Sequence, residues 1–116
     1  MSYKLWHEYI VTFSKTSRYT LGETIDKYFL QTIENILIAS FLQIREKQPF
    51  IKKAIVSLDA LKFFLFMAWE TETIDDKKYI ALSEPLSLAG KMLGGWYGQI
   101  VKQNSPESAN GRTGEK

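Results

Sequence analysis

Residues 87–102, SLAGKMLGGWYGQIVK, carry two helical stripes of opposite character. Leu82, Leu86, Ala89, Leu93, Trp96 and Ile100 recur at spacings of four and three, which at 3.6 residues per turn stack into one apolar stripe of a packed helix. Gly90, Gly94 and Gly98 fall at i, i+4 and i+8, so a second stripe of the same helix has no side chains. An interior glycine costs about 0.5–1 kcal/mol relative to alanine, so the three oppose the helix by roughly 1.5–3 kcal/mol. Close approach of another backbone or of a bulky ring is the expected compensation, and Trp96 and Tyr97 are rings suited to such a groove on a neighbouring helix or subunit. The alternative is that Gly94-Gly95 ends the helix as a C-cap. Trp96 and Ile100 continue the period beyond it, which favours an unbroken helix.

Outward from this stretch, 116 residues make one domain, marginal enough in size to benefit from oligomerisation. With 45% apolar and 24% charged residues the composition is that of a soluble globular protein. The absence of cysteine removes disulfides, thiolate metal sites and cysteine nucleophiles, and fits a reducing compartment. The start, MSYKLWHEYI, lacks the basic segment and apolar core of a secretion signal, so a cytoplasmic location is expected. The longest wholly apolar run, residues 63–69, falls far short of the roughly 20 residues that cross a bilayer, so no membrane association is expected.

The net charge of +2 is too small to imply nucleic acid by itself, but the charges are unevenly placed. Arg45, Lys47, Lys52, Lys53 and Lys62 against Glu46 and Asp59 leave +3, and Glu70, Glu72, Asp75 and Asp76 follow with −4.

Four helices are predicted, with no segment alternating at period two. The first runs over residues 3–13 with a wide aromatic face of Leu5, Trp6, Tyr9, Ile10 and Phe13. Thr20-Leu21-Gly22-Glu23 reads as a capping box opening the second. Its face is Leu21, Ile25, Tyr28, Phe29, Thr32, Ile36 and Ile44, widened by Leu30, Ile33 and Leu37. It is expected to end around residues 45–48, with Arg45 and Lys47 at the negative end of its dipole.

Pro49, tolerated in a first turn, is expected to open the third helix, which runs to about Trp69. Ala54, Leu58, Leu61, Leu65 and Ala68 form its seam, while Phe63, Phe64, Phe66, Met67 and Trp69 surround that seam. A helix apolar all round is buried all round, so the extra face calls for a partner subunit or a large ligand. Residues 70–76 are an acidic turn, with Thr73 or Asp75 as cap of the fourth helix. Pro85 within that helix predicts a kink, or a restart with Ser83 as N-cap. The fold class is therefore all-α, an up-down-up-down four-helix bundle over residues 1–103, followed by a polar tail over 104–116.

Nothing in the chain assembles a catalytic centre. His7 is the only histidine, which removes His-based metal clusters and triads within one chain. The carboxylates Glu70/Glu72 and Asp75/Asp76 sit at a turn, where capping and solvation account for them. There is no Glu-x-x-His motif of a di-metal bundle, and no glycine loop after a strand. The expectation is a protein that is not an enzyme and takes no cofactor or metal. Basic residues beside aromatics remain as candidates: Lys15, Arg18 and Tyr19 before the second helix, Arg45, Lys47, Lys52 and Lys53 around the second turn, and Lys91 in the fourth helix. Such side chains hold phosphates, and a tyrosine stacks on a base, although an ordinary solvated surface has the same composition.

Three groups of these residues resemble a known family as a set. Lys15-Thr-Ser-Arg18-Tyr19-Thr-Leu21-Gly22 is followed by Ile25-Asp26, then Leu58-x-x-Leu61-Lys62-x-x-Leu65, then Tyr79 and Gly90-Lys-Met-Leu93-Gly94-Gly95-Trp96. In this order they are similar to the Avd family, the accessory variability determinants of diversity-generating retroelements, over about residues 5–102. The resemblance implies a four-helix-bundle protomer in a barrel-like homopentamer with a basic outer surface and no catalytic site. It further implies association with a reverse transcriptase and template-repeat RNA in support of mutagenic cDNA synthesis. The oligomer interface is then expected from Phe63, Phe64, Phe66, Met67 and Trp69 together with Gly90, Gly94, Trp96 and Tyr97. The chain departs from the family in its modest charge and in Lys91, where arginine is common. The competing expectation is a stand-alone oligomeric bundle, associated with RNA or ribosomes and encoded without a retroelement.

Overall fold

The computed structural model describes residues 2–13 and 18–104, with side chains for 2–13 and 20–104. Among the described residues the chain is all helical, with no strand. The helices are α1 (Ser2–Ile10), α2 (Glu23–Phe41), α3 (Ile44–Glu70) and α4 (Asp76–Asn104), with a π-helical turn at Arg18–Gly22 leading into α2.

The helices alternate in direction. Tyr28 stacks on Phe64 at one end of the α2–α3 pair, and Ala39 meets Ile51 at the other. Likewise Trp69 stacks on Tyr79, and further along Leu58 lies against Gly90. α3 therefore runs between α2 and α4, packed along both. The molecule is a rod of 58 × 22 × 20 Å.

The fourth helix of the bundle is short. At 1.5 Å per residue, α1 spans roughly 14 Å against roughly 40 Å for α3, so it covers only one half of the rod. In that half Trp6 is fully buried against Phe13 and Phe29 in the main core, with Ile25, Leu61, Leu65 and Leu82. The other half has a separate three-helix core of Ala39, Ile51 and Ile100, with Phe50, Trp96 and Tyr97 packed on it. Asp26 fastens α1 to α2. Its carboxylate accepts hydrogen bonds from the Tyr3 hydroxyl at 2.8 Å and from the Trp6 indole N–H at 3.2 Å. Burial and the adjacent Asp26 carboxylate together push the Tyr3 pKa above 10.0.

Several boundaries differ from the sequence reading. α1 ends at Ile10, and Phe13 reaches the core from the turn that follows. The capping box at Thr20 and Glu23 does not form, because the backbone is already helical through Gly22 and the start of α2 needs no side-chain cap. α2 stops at Phe41, before residues 45–48, and α3 starts at Ile44, five residues before Pro49. Pro49 thus lies beyond the first turn of α3, where it removes the bond its N–H would have made to the Arg45 carbonyl. The α2–α3 connection is thus only Leu42 and Gln43, both extended.

α4 runs unbroken through Pro85 and through Gly94-Gly95, so neither the restart at Ser83 nor the glycine C-cap occurs. Its expected apolar stripe is the one that packs: Leu82, Leu86, Leu93 and Ile100 are buried, and Ala89 and Trp96 are half-buried. Between α3 and α4, Glu72 adopts φ 61, the Thr73 N–H bonds to the Ala68 carbonyl at 2.8 Å, and the Glu72 N–H bonds to Trp69 at 3.0 Å. This is a Schellman ending with a non-glycine residue in the left-handed position. Asp75 then caps α4 by accepting the Lys78 N–H at 2.8 Å. The tail expected from 104 onward lies outside the described residues apart from Asn104, whose amide donates to the Ile44 carbonyl at 3.1 Å.

Candidate binding surfaces

The basic candidates separate into distant groups. Arg18 and Tyr19 belong to the turn at the start of α2, with only their backbone described, and Lys15 lies outside the described residues. Arg45, Lys47, Lys52 and Lys53 belong to the first turns of α3, at the opposite end of α2 and roughly 28 Å away along its axis. Lys91 is exposed midway along α4.

At the α3 end the lysines are organised by the three-helix core beneath them. Lys47 Nζ lies 5.8 Å from the ring centroid of Trp96, Lys52 Nζ 5.6 Å from that of Tyr97, and Lys53 Nζ 4.9 Å from that of Phe50. Cations over aromatic faces are held in preferred positions by the ring quadrupole while their charge stays partly available. Lys47 is already engaged, donating to the Ala39 carbonyl at 2.7 Å, whereas Arg45, Lys52 and Lys53 are exposed. With Lys102 also exposed on the last turn of α4 and Glu46 as the nearby acid, this end is strongly cationic.

The opposite end holds an open depression of about 720 Å³ lined by Trp69, Glu70, Glu72, Ile74, Asp75, Asp76 and Lys77. Two of its four carboxylates have structural work: Asp75 caps α4, and Asp76 accepts the Trp69 indole N–H at 2.6 Å. Among the described residues, no group of three or more His, Cys, Asp or Glu is arranged to hold a metal ion. No described helix is long and apolar enough to cross a membrane.

The expected interface residues divide as well. Phe63 is 57% exposed, and Phe66 and Met67 are also exposed, so the outer face of α3 finds no cover within the protomer. Phe64 and Trp69 are half-buried in internal stacks with Tyr28 and Tyr79. Gly90 is at close quarters inside the protomer, since a Cβ there would lie 3.3 Å from Lys62 Nζ and 3.7 Å from Leu58 Cδ2. Gly94, Gly95 and Gly98 would have nothing within 4 Å of an added Cβ. Trp96 and Tyr97 pack on the three-helix core of their own chain.

Two exposed apolar stripes escaped the sequence reading. Leu30, Ile33 and Leu37, expected to widen the core face of α2, are exposed, as is Phe41 at 82%. On α4, Leu88 and Met92 are exposed at 60% and 67%. The signal for the first was their position, since Leu30, Leu37 and Phe41 lie well round the helix from Ile25, Phe29 and Thr32. In comparisons with known proteins, no family model matches the chain, and neither a curated protein nor a solved structure shows significant similarity to it.

Proposed function

We propose that this chain is a non-catalytic accessory protein of a diversity-generating retroelement, acting as a homo-oligomer that binds a reverse transcriptase and the template-repeat RNA in the cytoplasm. The observation that carries the reading is the cationic end of the rod, where Arg45, Lys52 and Lys53 are exposed and Lys52 and Lys53 sit over Tyr97 and Phe50. Phosphate groups are the natural counter-ions of such a cluster, and the rings beneath the lysines hold the ammonium groups in place. The outer face of α3, with Phe63, Phe66 and Met67, supports protein contact, because exposed apolar side chains grouped on one face mark interaction sites. In a five-membered barrel each cationic end is repeated five times, which raises the local potential above what a net charge of +2 suggests.

The test is a filter-binding titration of template-repeat RNA with the protein alone and with the reverse transcriptase, repeated at several salt concentrations. Binding that weakens steeply with salt, and that falls in the Arg45→Glu/Lys52→Glu/Lys53→Glu variant, is expected. No binding at low salt in either arm rejects the reading. The stand-alone bundle reading draws on the same α3 face, which needs only a protein partner. A gene neighbourhood without a reverse transcriptase and without paired template and variable repeats favours it.

A further inference from the structure

We infer that the outer side of α2 docks against the outer side of the C-terminal half of α4 on a second copy of this chain. The inference rests on the self-association proposed above and names the surfaces that make it.

Leu30, Ile33, Leu37 and Phe41 follow at i, i+3, i+7 and i+11, which draws one continuous ridge along α2. All four are exposed, while Ile25, Phe29, Thr32 and Ala39 of the same helix face the core. A ridge this regular is the kind of seam that one helix offers another. On α4, Leu88 and Met92 are exposed one turn apart. Just beyond them on the same side Gly95 leaves open space, so large side chains can come down onto the backbone beside Met92.

Charge selects the pairing and makes the partner a second copy. The outer side of α2 carries Glu23 and Glu34 against Lys27, all exposed. The outer side of α4 carries Lys91 and Lys102 against Glu84 one turn before Leu88, all exposed, and residues 85–104 contain no acidic residue. An apolar ridge with a net charge of −1 and an apolar face with a net charge of +1 thus occur on one chain, each turned away from the chain's own core. Because they lie on different helices, every copy offers one of each. The interface is therefore heterologous and gives a closed ring if its rotation closes.

Light scattering after size-exclusion chromatography tests this with wild type, Leu37→Glu, Met92→Glu and an equimolar mixture of the two variants. Wild type is expected as a multimer, and each variant at single-chain mass with wild-type helical circular dichroism. The mixture is expected at twice the chain mass, because Leu37→Glu copies keep the α4 face and Met92→Glu copies keep the ridge. Should Leu37→Glu lose helix signal, Leu37→Ser replaces it in the same series. A variant that keeps the wild-type mass, or a mixture that stays at single-chain mass, overturns the inference. Dissociation by Phe63→Glu alone moves the contact to α3 and leaves self-association standing. Wild type at single-chain mass removes self-association itself.

Discussion

The ammonium of Lys47, on α3, donates a 2.7 Å hydrogen bond back to the carbonyl of Ala39 in the last turn of α2. The same ammonium lies over the Trp96 ring of α4, so one side chain ties the three helices together at the cationic end. The Ala39 carbonyl also accepts the Leu42 N–H at 3.3 Å, so Lys47 supplies its second, shorter bond and opposes the negative end of the dipole. Lys47→Ala is therefore expected to lower unfolding stability by about 1–2 kcal/mol. Lys52→Ala and Lys53→Ala, at exposed positions, are expected to change it by less than about 0.5 kcal/mol. Urea denaturation followed by circular dichroism separates the two behaviours, and equal losses in all three variants contradict the assignment.

Glu72 holds φ 61 at the end of α3, a conformation in which its Cβ is crowded. Glu72→Gly is expected to raise stability by about 0.5–1 kcal/mol, because glycine relieves that crowding at some entropic cost. Thermal melting checks the sign.

Asp75 is the N-cap of α4 through its 2.8 Å bond from the Lys78 N–H. Asp75→Ala is expected to cost about 1 kcal/mol and Asp75→Asn only a small fraction of that, since asparagine caps almost as well. Chemical denaturation of the two variants side by side tests whether the cap or the charge matters.

Tyr3 is the pH-sensitive element of the α1 attachment. Its pKa is raised above 10.0 by burial first and then by the Asp26 carboxylate that accepts its hydrogen bond, so folding favours the neutral phenol. The stabilisation is complete below pH 10.0 and is lost as pH rises through the higher folded-state value. Wild type should lose stability above pH 10.0 more steeply than Tyr3→Phe, while Tyr3→Phe is weaker at pH 7 by the missing hydrogen bond, about 1 kcal/mol. Parallel slopes above pH 10.0 would sink this account.

Gly94 has open space where a Cβ would sit. In the single-chain Leu37→Glu background, Gly94→Ala should raise the melting free energy by about 0.5–1 kcal/mol, because only backbone entropy is at stake there. The sequence reading had placed a close contact at this glycine. Among the glycines of α4, such a contact within the protomer is made at Gly90, against Leu58 and the Lys62 ammonium.

Local chemistry was enough to determine four helices, the core stripe of α4 from Leu82 to Ile100 and the turn after Trp69, and to narrow the cap of α4 to Thr73 or Asp75, of which the structure uses Asp75, because periodicity and capping act within a few residues of chain. The same reading placed cationic residues near the end of α2, but it took the folded two-residue connection to aim Lys47 of α3 at Ala39. Which apolar stripes stay bare was decided by tertiary structure alone. Leu30, Ile33 and Leu37 have the same composition as a core face, and Phe63 and Phe64 are neighbours of one type in edge-on contact, yet of the two it is Phe64 that stacks on a ring of another helix, Tyr28. Burial belongs to pairs of helices, and here α1 is only nine residues long, so half of the rod is left with three helices to cover it.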